Sequence, residues 1–261
     1  MNIAKLEIIL FFLCQFIISS PFKKNFLGET GVNDAVVIKN RVWDGYEKGA
    51  GAYYIAYSPY ATGYSKVTSY IILPYSLDTR GGKRNAYISL GVLGINGFID
   101  LGIVNSGDGW KPYYNKNGNF LSFPQYTASS NVKIIGIEID VTSNRRINFA
   151  LSFRDINYNI LNSFSIVLDA SDILEYENGK VKNRFYRFAS LVNVSGYDNQ
   201  NDHTYMINGT FSKLCIVVNN QVKEWGISSN YIDVAWLVSS RRIEFGYNAD
   251  HESFSIRHYE N

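Results

Sequence analysis

The stretch Ile135-Gly-Ile-Glu-Ile-Asp-Val141, followed by Ile147-Asn-Phe-Ala-Leu-Ser-Phe153 and then Phe164-Ser-Ile-Val-Leu168, decides the fold. In the first run Ile135, Ile137, Ile139 and Val141 point one way, while Gly136, Glu138 and Asp140 point the other. The second run repeats the pattern, with Ile147, Phe149, Leu151 and Phe153 alternating with Asn148, Ala150 and Ser152. Period two is the side-chain period of a strand, since successive Cβ atoms leave opposite faces of the pleat. Polar turns at Thr142–Arg145 and Asp155–Asn157 separate the runs. Three alternating runs joined by short polar turns predict an antiparallel meander with one buried face.

Similar runs flank it on both sides. Ala35 to Val42, Tyr53 to Tyr57, Lys66 to Leu73, Ala86 to Val92 and Phe98 to Val104 precede the meander. Arg184 to Val194, Gly209 to Val218, Tyr231 to Val238, Arg241 to Tyr247 and Glu252 to His258 follow it. β-branched and aromatic residues dominate these runs, which favours pleated sheet over helix. One short helix or turn is expected near Asp169 to Glu175, with Ser171 as its cap. About a dozen strands at this spacing predict an all-β chain: a two-sheet antiparallel β-sandwich of jelly-roll type.

The chain has 261 residues, 25 Lys+Arg against 23 Asp+Glu, and two cysteines. A net charge of +2 does not suit a nucleic-acid binder that neutralises phosphates. Hydrophobic content of 46% excludes a disordered chain, and two cysteines exclude a disulfide-rich scaffold. Lys5 followed by the apolar stretch Ile8 to Ile18 reads as a secretory signal, with cleavage expected after Ser19. Residues 20–33 then form a lead-in and 34–261 a single domain. Removing the signal takes Cys14 with it and leaves Cys215 as a buried small hydrophobe between Leu214 and Ile216. No later run reaches 18 apolar residues, so no membrane span is expected after cleavage, and the location is extracellular.

The strand count, the run Arg184-Phe-Tyr-Arg-Phe-Ala-Ser-Leu191 and the strand carrying Glu138 and Asp140 give a fold that resembles the concanavalin-A-like lectin and glucanase superfamily. Glu138 and Asp140 match the first two carboxylates of the E-x-D-x-E or E-x-D-x-x-E strand motif of its glucanases. The resemblance implies a nucleophile at Glu138 and a tuning carboxylate at Asp140. Thr142 and Ser143 stand where the acid/base belongs, so a third carboxyl would have to come from Glu224, Glu244 or Asp233. The alternative is that Glu138 and Asp140 are the solvated face of an amphipathic strand.

A second constellation is Asn105-Ser-Gly-Asp-Gly-Trp-Lys-Pro-Tyr-Tyr114. Its glycines suit a tight turn that delivers Trp110, Tyr113 and Tyr114 to one place, with Asn105 and Asp108 as polar partners. Sugar rings stack their CH faces on aromatics and need such polar groups for their hydroxyls. Trp110 and Tyr113 plugging the sandwich end is the competing reading. The tyrosines Tyr46, Tyr53, Tyr54, Tyr57, Tyr60, Tyr64, Tyr70 and Tyr75 form a third, and alternation sets Tyr53 and Tyr57 opposite Tyr54. Gly91, Gly94 and Gly97 have no strand–turn–helix context and read as a turn. Asp198 and Asp202 lie in an oxygen-rich loop that could hold calcium (Ca2+), although EF-hand spacing is absent and no other cofactor is expected. His251-Glu252 does not continue into a zinc motif, and His258 shares a face with Phe254 and Ile256. The expectation is an extracellular, non-catalytic protein that binds a glycan or another surface ligand. The alternatives are a glycoside hydrolase or polysaccharide lyase built on Glu138 and Asp140, and a host-interaction protein with a tyrosine-rich interface.

Overall fold

The computed structural model describes residues 38–41, 52–193, 202–238, 242–248 and 251–258. The signal segment, the lead-in, Tyr46 and Asp198 lie outside the described residues. In chain order the first strands are β1 (Ile38–Arg41), β2 (Ala52–Tyr57), β3 (Ala61–Thr62), β4 (Tyr64–Ile72), β5 (Ser76–Asp78) and β6 (Arg84–Gly94). Next come β7 (Gly97–Asn105), β8 (Trp110–Lys116), β9 (Asn119–Ser122), β10 (Ile134–Val141), β11 (Arg146–Arg154) and β12 (Ile160–Asp169). The last are β13 (Glu175–Glu177), β14 (Lys180–Asn193), β15 (Tyr205–Val218), β16 (Gln221–Glu224), β17 (Val234–Val238), β18 (Ile243–Tyr247) and β19 (His251–Arg257).

They form two sheets. The larger runs β1-β17-β2-β14-β6-β7-β8-β9, with β3 and β13 beside β14. The smaller runs β12-β11-β10-β4-β15-β19-β18, with β5 and β16 beside β15. Every pairing is antiparallel except β1 with β17, which is parallel at the edge of the larger sheet. The meander reads as its alternation demands, with Glu138 opposite Ala150 and Phe149 opposite Ile166.

One hydrophobic core lies between the sheets. Tyr54, Ile88, Leu90, Leu101, Ile103 and Phe185 enter it from the larger sheet, and Val67, Ile137, Phe149, Phe211 and Ile256 from the smaller. The segment 169–175 is a single turn: Ala170 O accepts from both Ile173 N and Leu174 N, and Asp169 Oδ1 accepts from Ser171 N. The expected cap at Ser171 is therefore filled by Asp169. Gly91 and Gly94 lie in β6 and Gly97 opens β7, with Ile95 and Asn96 as the two-residue hairpin loop between them.

Among the described residues, two buried guanidinium–carboxylate pairs bridge the layers. Arg187 of β14 pairs with Glu252 of β19, both fully buried, and Tyr54 donates to Glu252 Oε2 at 2.6 Å. At one end, Asp202 accepts from Arg84 Nε at 2.7 Å and from Thr204 N and Oγ1. Burial acts to raise the Asp202 pKa, but the Thr204 and Arg84 hydrogen bonds outweigh it and hold the carboxyl at about 2. His258 beside it is buried, donates Nε2–H to Leu191 O at 2.9 Å, and is pushed down to about 4, chiefly by burial and by Arg84. Asp202 is thus a structural anion already matched to a guanidinium, which corrects its reading as a calcium ligand.

Candidate active site on the outer face of the larger sheet

The outer face of the larger sheet is built from cross-strand rows. One row reads Val234, Tyr57, Tyr186, Gly91, Asp100, Asn115 and Phe120 across β17, β2, β14, β6, β7, β8 and β9. The next reads Trp236, Ile55, Phe188, Ser89, Gly102, Tyr113 and Ser122 over the same strands. Within these two rows the single charged residue is Asp100. It interrupts Phe98-Ile99-Asp100-Leu101-Gly102-Ile103-Val104 at a position that alternation turns away from the core.

Tyr186 and Asp100 sit on strands separated by β6, so their backbones are about 10 Å apart. The Tyr186 hydroxyl nevertheless donates to Asp100 Oδ1. It can do so because residue 91, between them, has no side chain. A Cβ at Gly91 would lie 2.2 Å from Tyr186 Cζ. The arrangement recurs one row away: Tyr113 crosses Gly102 to Ser89, with 2.6 Å between the two hydroxyl oxygens. Gly91 thus lets the Tyr186 phenol lie flat on the sheet, and a Cβ at Gly102 would lie 2.4 Å from Ser89 Oγ, the partner of Tyr113.

The other carboxylate oxygen, Oδ2, accepts from Asn115 Nδ2 at 3.0 Å. Burial raises the Asp100 pKa to about 6, although the Tyr186 and Asn115 hydrogen bonds act to lower it. The phenols of Tyr113 and Tyr186 are pushed well above their ordinary value by burial first and by Asp100 second, so both stay neutral. Rings flank the carboxyl on both sides. Tyr57 lies 5.5 Å from Tyr186 and 6.3 Å from Trp236, while Phe120 stacks on Tyr113 at 5.3 Å. Asn115 Oδ1 is shielded from solvent and has no hydrogen-bond partner among the described residues. A partly shielded acid whose pKa lies near neutrality, held by a phenol and an amide, can exchange protons with a bound molecule.

A Gly91→Ala substitution should push the Tyr186 ring off the sheet and break its bond to Asp100. The expected cost is about 2–3 kcal/mol of stability. The Asp100 pKa should rise above about 6, because the lost bond lowers it. A carboxyl-detected NMR titration reads this directly, and an unchanged Asp100 titration would show that Tyr186 does not tune the acid.

The sandwich is similar to that of a glutamic peptidase. Scytalido-glutamic peptidase with a peptide-based transition-state analogue superposes with a TM-score of 0.51 at 12% identity, covering 80% of this chain and 98% of that one. A member of the eqolisin family of peptidases in complex with the tripeptide Ala-Ile-His gives 0.49 at 11%, with the same coverage. At 12% identity the first of these likenesses bears on the fold alone, a two-sheet sandwich. No protein-family model and no curated protein sequence matches the chain.

The residues expected to bind a sugar do not come together. Trp110 and Tyr114 face inward from β8, Trp110 within the core at 8% exposure and Tyr114 packed against it, 6.2 Å from Phe123. Tyr113 lies on the opposite face, because it is one position from Tyr114 and three from Trp110, both odd steps along the strand. Asn105 Oδ1 accepts from Gly107 N and so holds the turn, and Asp108 is paired with Lys111 Nζ at 2.7 Å. The turn is confined to residues 106–109; the aromatics belong to a strand. Of this set only Tyr113 is part of the Asp100 cluster.

The carboxylates of the smaller sheet do not assemble either. Glu138 pairs with Lys66 at 3.0 Å, and Asp140 stands opposite Lys66 in the register. Glu224 shares a row with Glu138 through Thr68 and Cys215, three strand spacings or about 14 Å away. That exceeds the separation of about 5–9.5 Å used by glycosidase carboxyl pairs. Glu244 pairs with Arg257 and Asp233 with Arg184. The tyrosine-rich segment is divided as well: Tyr54 is in the core, Tyr53 and Tyr57 are on the outer face of the larger sheet, and Tyr70 is on the smaller sheet under Tyr158. Among the described residues these tyrosines do not share one face. Among the described residues no three metal-ligating side chains gather.

Proposed function

We propose that this chain is an exported hydrolase of extended polypeptides, and that Asp100 is its catalytic acid–base group. The observation that carries this reading is the Asp100 carboxyl itself, held near a pKa of 6 between Tyr186 and Asn115 in a field of aromatic rings. Proteins place carboxyls in such surroundings at a cost in stability, and active sites are where that cost is repaid. Support also comes from the described ligand of the similar sandwich, a peptide-based transition-state analogue. The aminoterminal apolar segment supports export.

Above pH 6 the Asp100 carboxylate takes a proton from a water molecule as the water oxygen attacks the scissile carbonyl carbon. The proton then passes from Asp100 to the leaving nitrogen as the C–N bond breaks, giving an acid and an amine and restoring the carboxylate. Tyr186 and Asn115 keep the carboxyl oriented, and the shielded Asn115 Oδ1 accepts a backbone N–H of the bound chain. Activity should therefore rise with pH through about 6. Incubation with an unfolded protein between pH 4 and 8, with products read by mass spectrometry, tests the reading. Cleavage lost in Asp100→Asn is expected; no products at any pH, or equal cleavage by the variant, would overturn it. The ring-lined face also suits a carbohydrate held without chemistry, since Phe120 is 46% exposed beside Tyr113. Saturable glycan binding without cleavage of either polymer would favour that second reading.

A further inference from the structure

Strand β12 is the outermost strand of the smaller sheet, and nothing among the described residues pairs with its free edge. Nine successive residues, Ile160-Leu-Asn-Ser-Phe-Ser-Ile-Val-Leu168, carry no charge and no proline. Ile160, Leu161 and Val167 are 60%, 47% and 59% exposed. Soluble proteins guard such edges with lysine, proline, a bulge or a covering loop, because an open ladder of N–H and C=O groups recruits another strand. Here the one irregularity, at Phe153/Arg154, lies at the start of β12 and leaves Asn162 to Asp169 in regular register.

Backbone direction can be followed along this edge. Arg146 O accepts from Thr142 N across the β10–β11 turn, so the hydrogen-bonding groups of Arg146 face β10 and not β12. Alternation then turns the N–H and C=O groups of Asp169, Val167, Ser165 and Ser163 to the free edge. The Ser163 amide is already taken by Asn162 Oδ1 and the Asp169 carbonyl accepts from Lys116 Nζ at 2.8 Å, which leaves Ser165 and Val167 facing outward. β9 is the corresponding edge of the larger sheet, and its Phe120 and Leu121 are each 46% exposed. The two edges meet where Phe123 packs 4.7 Å from Phe164. One flank of the sandwich therefore offers an open ladder with apolar shoulders.

We infer that β12 pairs antiparallel with β12 of a second copy of this chain, joining the two smaller sheets across a two-fold axis. The occupant follows from the chemistry of the strand. A two-fold axis sets the strand against its own residues in reverse order, so an edge carrying charge of one sign would repel itself, whereas this uncharged one does not. An axis near Phe164 places Ser163 opposite Ser165 and Leu161 opposite Val167 on the outer face of the sheet, with Asn162 opposite Ile166 on the other face. The Asp100 face is on the other sheet and remains open in such a dimer.

Sedimentation equilibrium across a wide range of protein concentration tests this, combined with amide exchange at Ser165 and Val167. The mass should double as concentration rises, and both amides should become protected only in the dimer. Val167→Lys sets an unpaired charge against Leu161 of the second copy and should raise the dissociation midpoint about tenfold or more. Val167→Thr, uncharged and β-branched, should dimerise as the wild type does. Circular dichroism confirms that each variant is folded, and the exchange measurement on the wild type needs no variant. A monomer at every concentration would overturn the inference. So would amides protected in the monomer, which would mean that the chain covers its own edge, or a dimer that Val167→Lys leaves unchanged.

Discussion

The Asp100→Asn protein is expected to lose turnover by about a hundredfold or more and, at pH 7, to be more stable than the wild type. The sign follows from the carboxyl's position. Its folded pKa is about 6, above its ordinary value of 3.8, so the fold favours the protonated form. That contribution is fully present below about pH 4 and is lost as pH rises through 6. At pH 7 the folded protein holds an ionised, shielded carboxylate that the unfolded chain would leave in water. A shift of roughly two units corresponds to at most about 3 kcal/mol. Asparagine removes the charge while keeping an acceptor for Tyr186. Denaturant melts should show near-equal stability at pH 4 and a gap of about 2–3 kcal/mol in favour of the variant at pH 7. A gap that does not change with pH would mean that Asp100 is solvated and unsuited to proton transfer. Stability gained together with activity lost would separate an acid–base role from a structural one, because a structural carboxylate would cost stability when removed.

The fold was legible because its strongest signal is local. Ile135 to Val141 and Ile147 to Phe153 alternate without a break, and one face of each enters the core. Strands Arg184 to Val194 and Gly209 to Val218 were readable for the same reason. The site was not legible, because it is assembled across strands. Tyr186, Gly91, Asp100 and Asn115 come from four strands, and their register depends on pairings that no local pattern encodes. One local signal did exist: a lone aspartate, followed two residues later by a glycine, in an otherwise apolar strand. Trp110 misled for the opposite reason. Its glycines, Gly107 and Gly109, do form a turn with positive φ, but β8 begins at Trp110 itself and alternation sends the indole into the core.

Glu252→Ala should be the most destabilising single change of those considered, at about 3–5 kcal/mol. Glu252 of β19 and Arg187 of β14 come from different sheets and meet in the core, both at 0% exposure. Burial works against the Arg187 charge, and Glu252 and Tyr54 outweigh it, keeping the guanidinium protonated. Arg187 also lies 4.7 Å from the Trp225 ring, while its Nη1 has no hydrogen-bond acceptor among the described residues. Removing the carboxylate therefore leaves a buried cation with only a ring face and a phenol, and neither can accept two charged hydrogen bonds. For a domain of this size the melting temperature should fall by about 10–15 °C. The pair is costly to break and still need not stabilise the fold relative to an apolar core. Replacing all three groups, as Arg187→Met, Glu252→Leu and Tyr54→Phe together, should recover most of the loss, since no unpaired charge remains. The contrast between the single and the triple variant is the informative measurement. If Glu252→Ala costs under about 1 kcal/mol, water reaches the bridge and the layers are not sealed there. If the triple variant is as unstable as the single one, the ion pair supplies net stability, and the sandwich depends on it to register one sheet against the other.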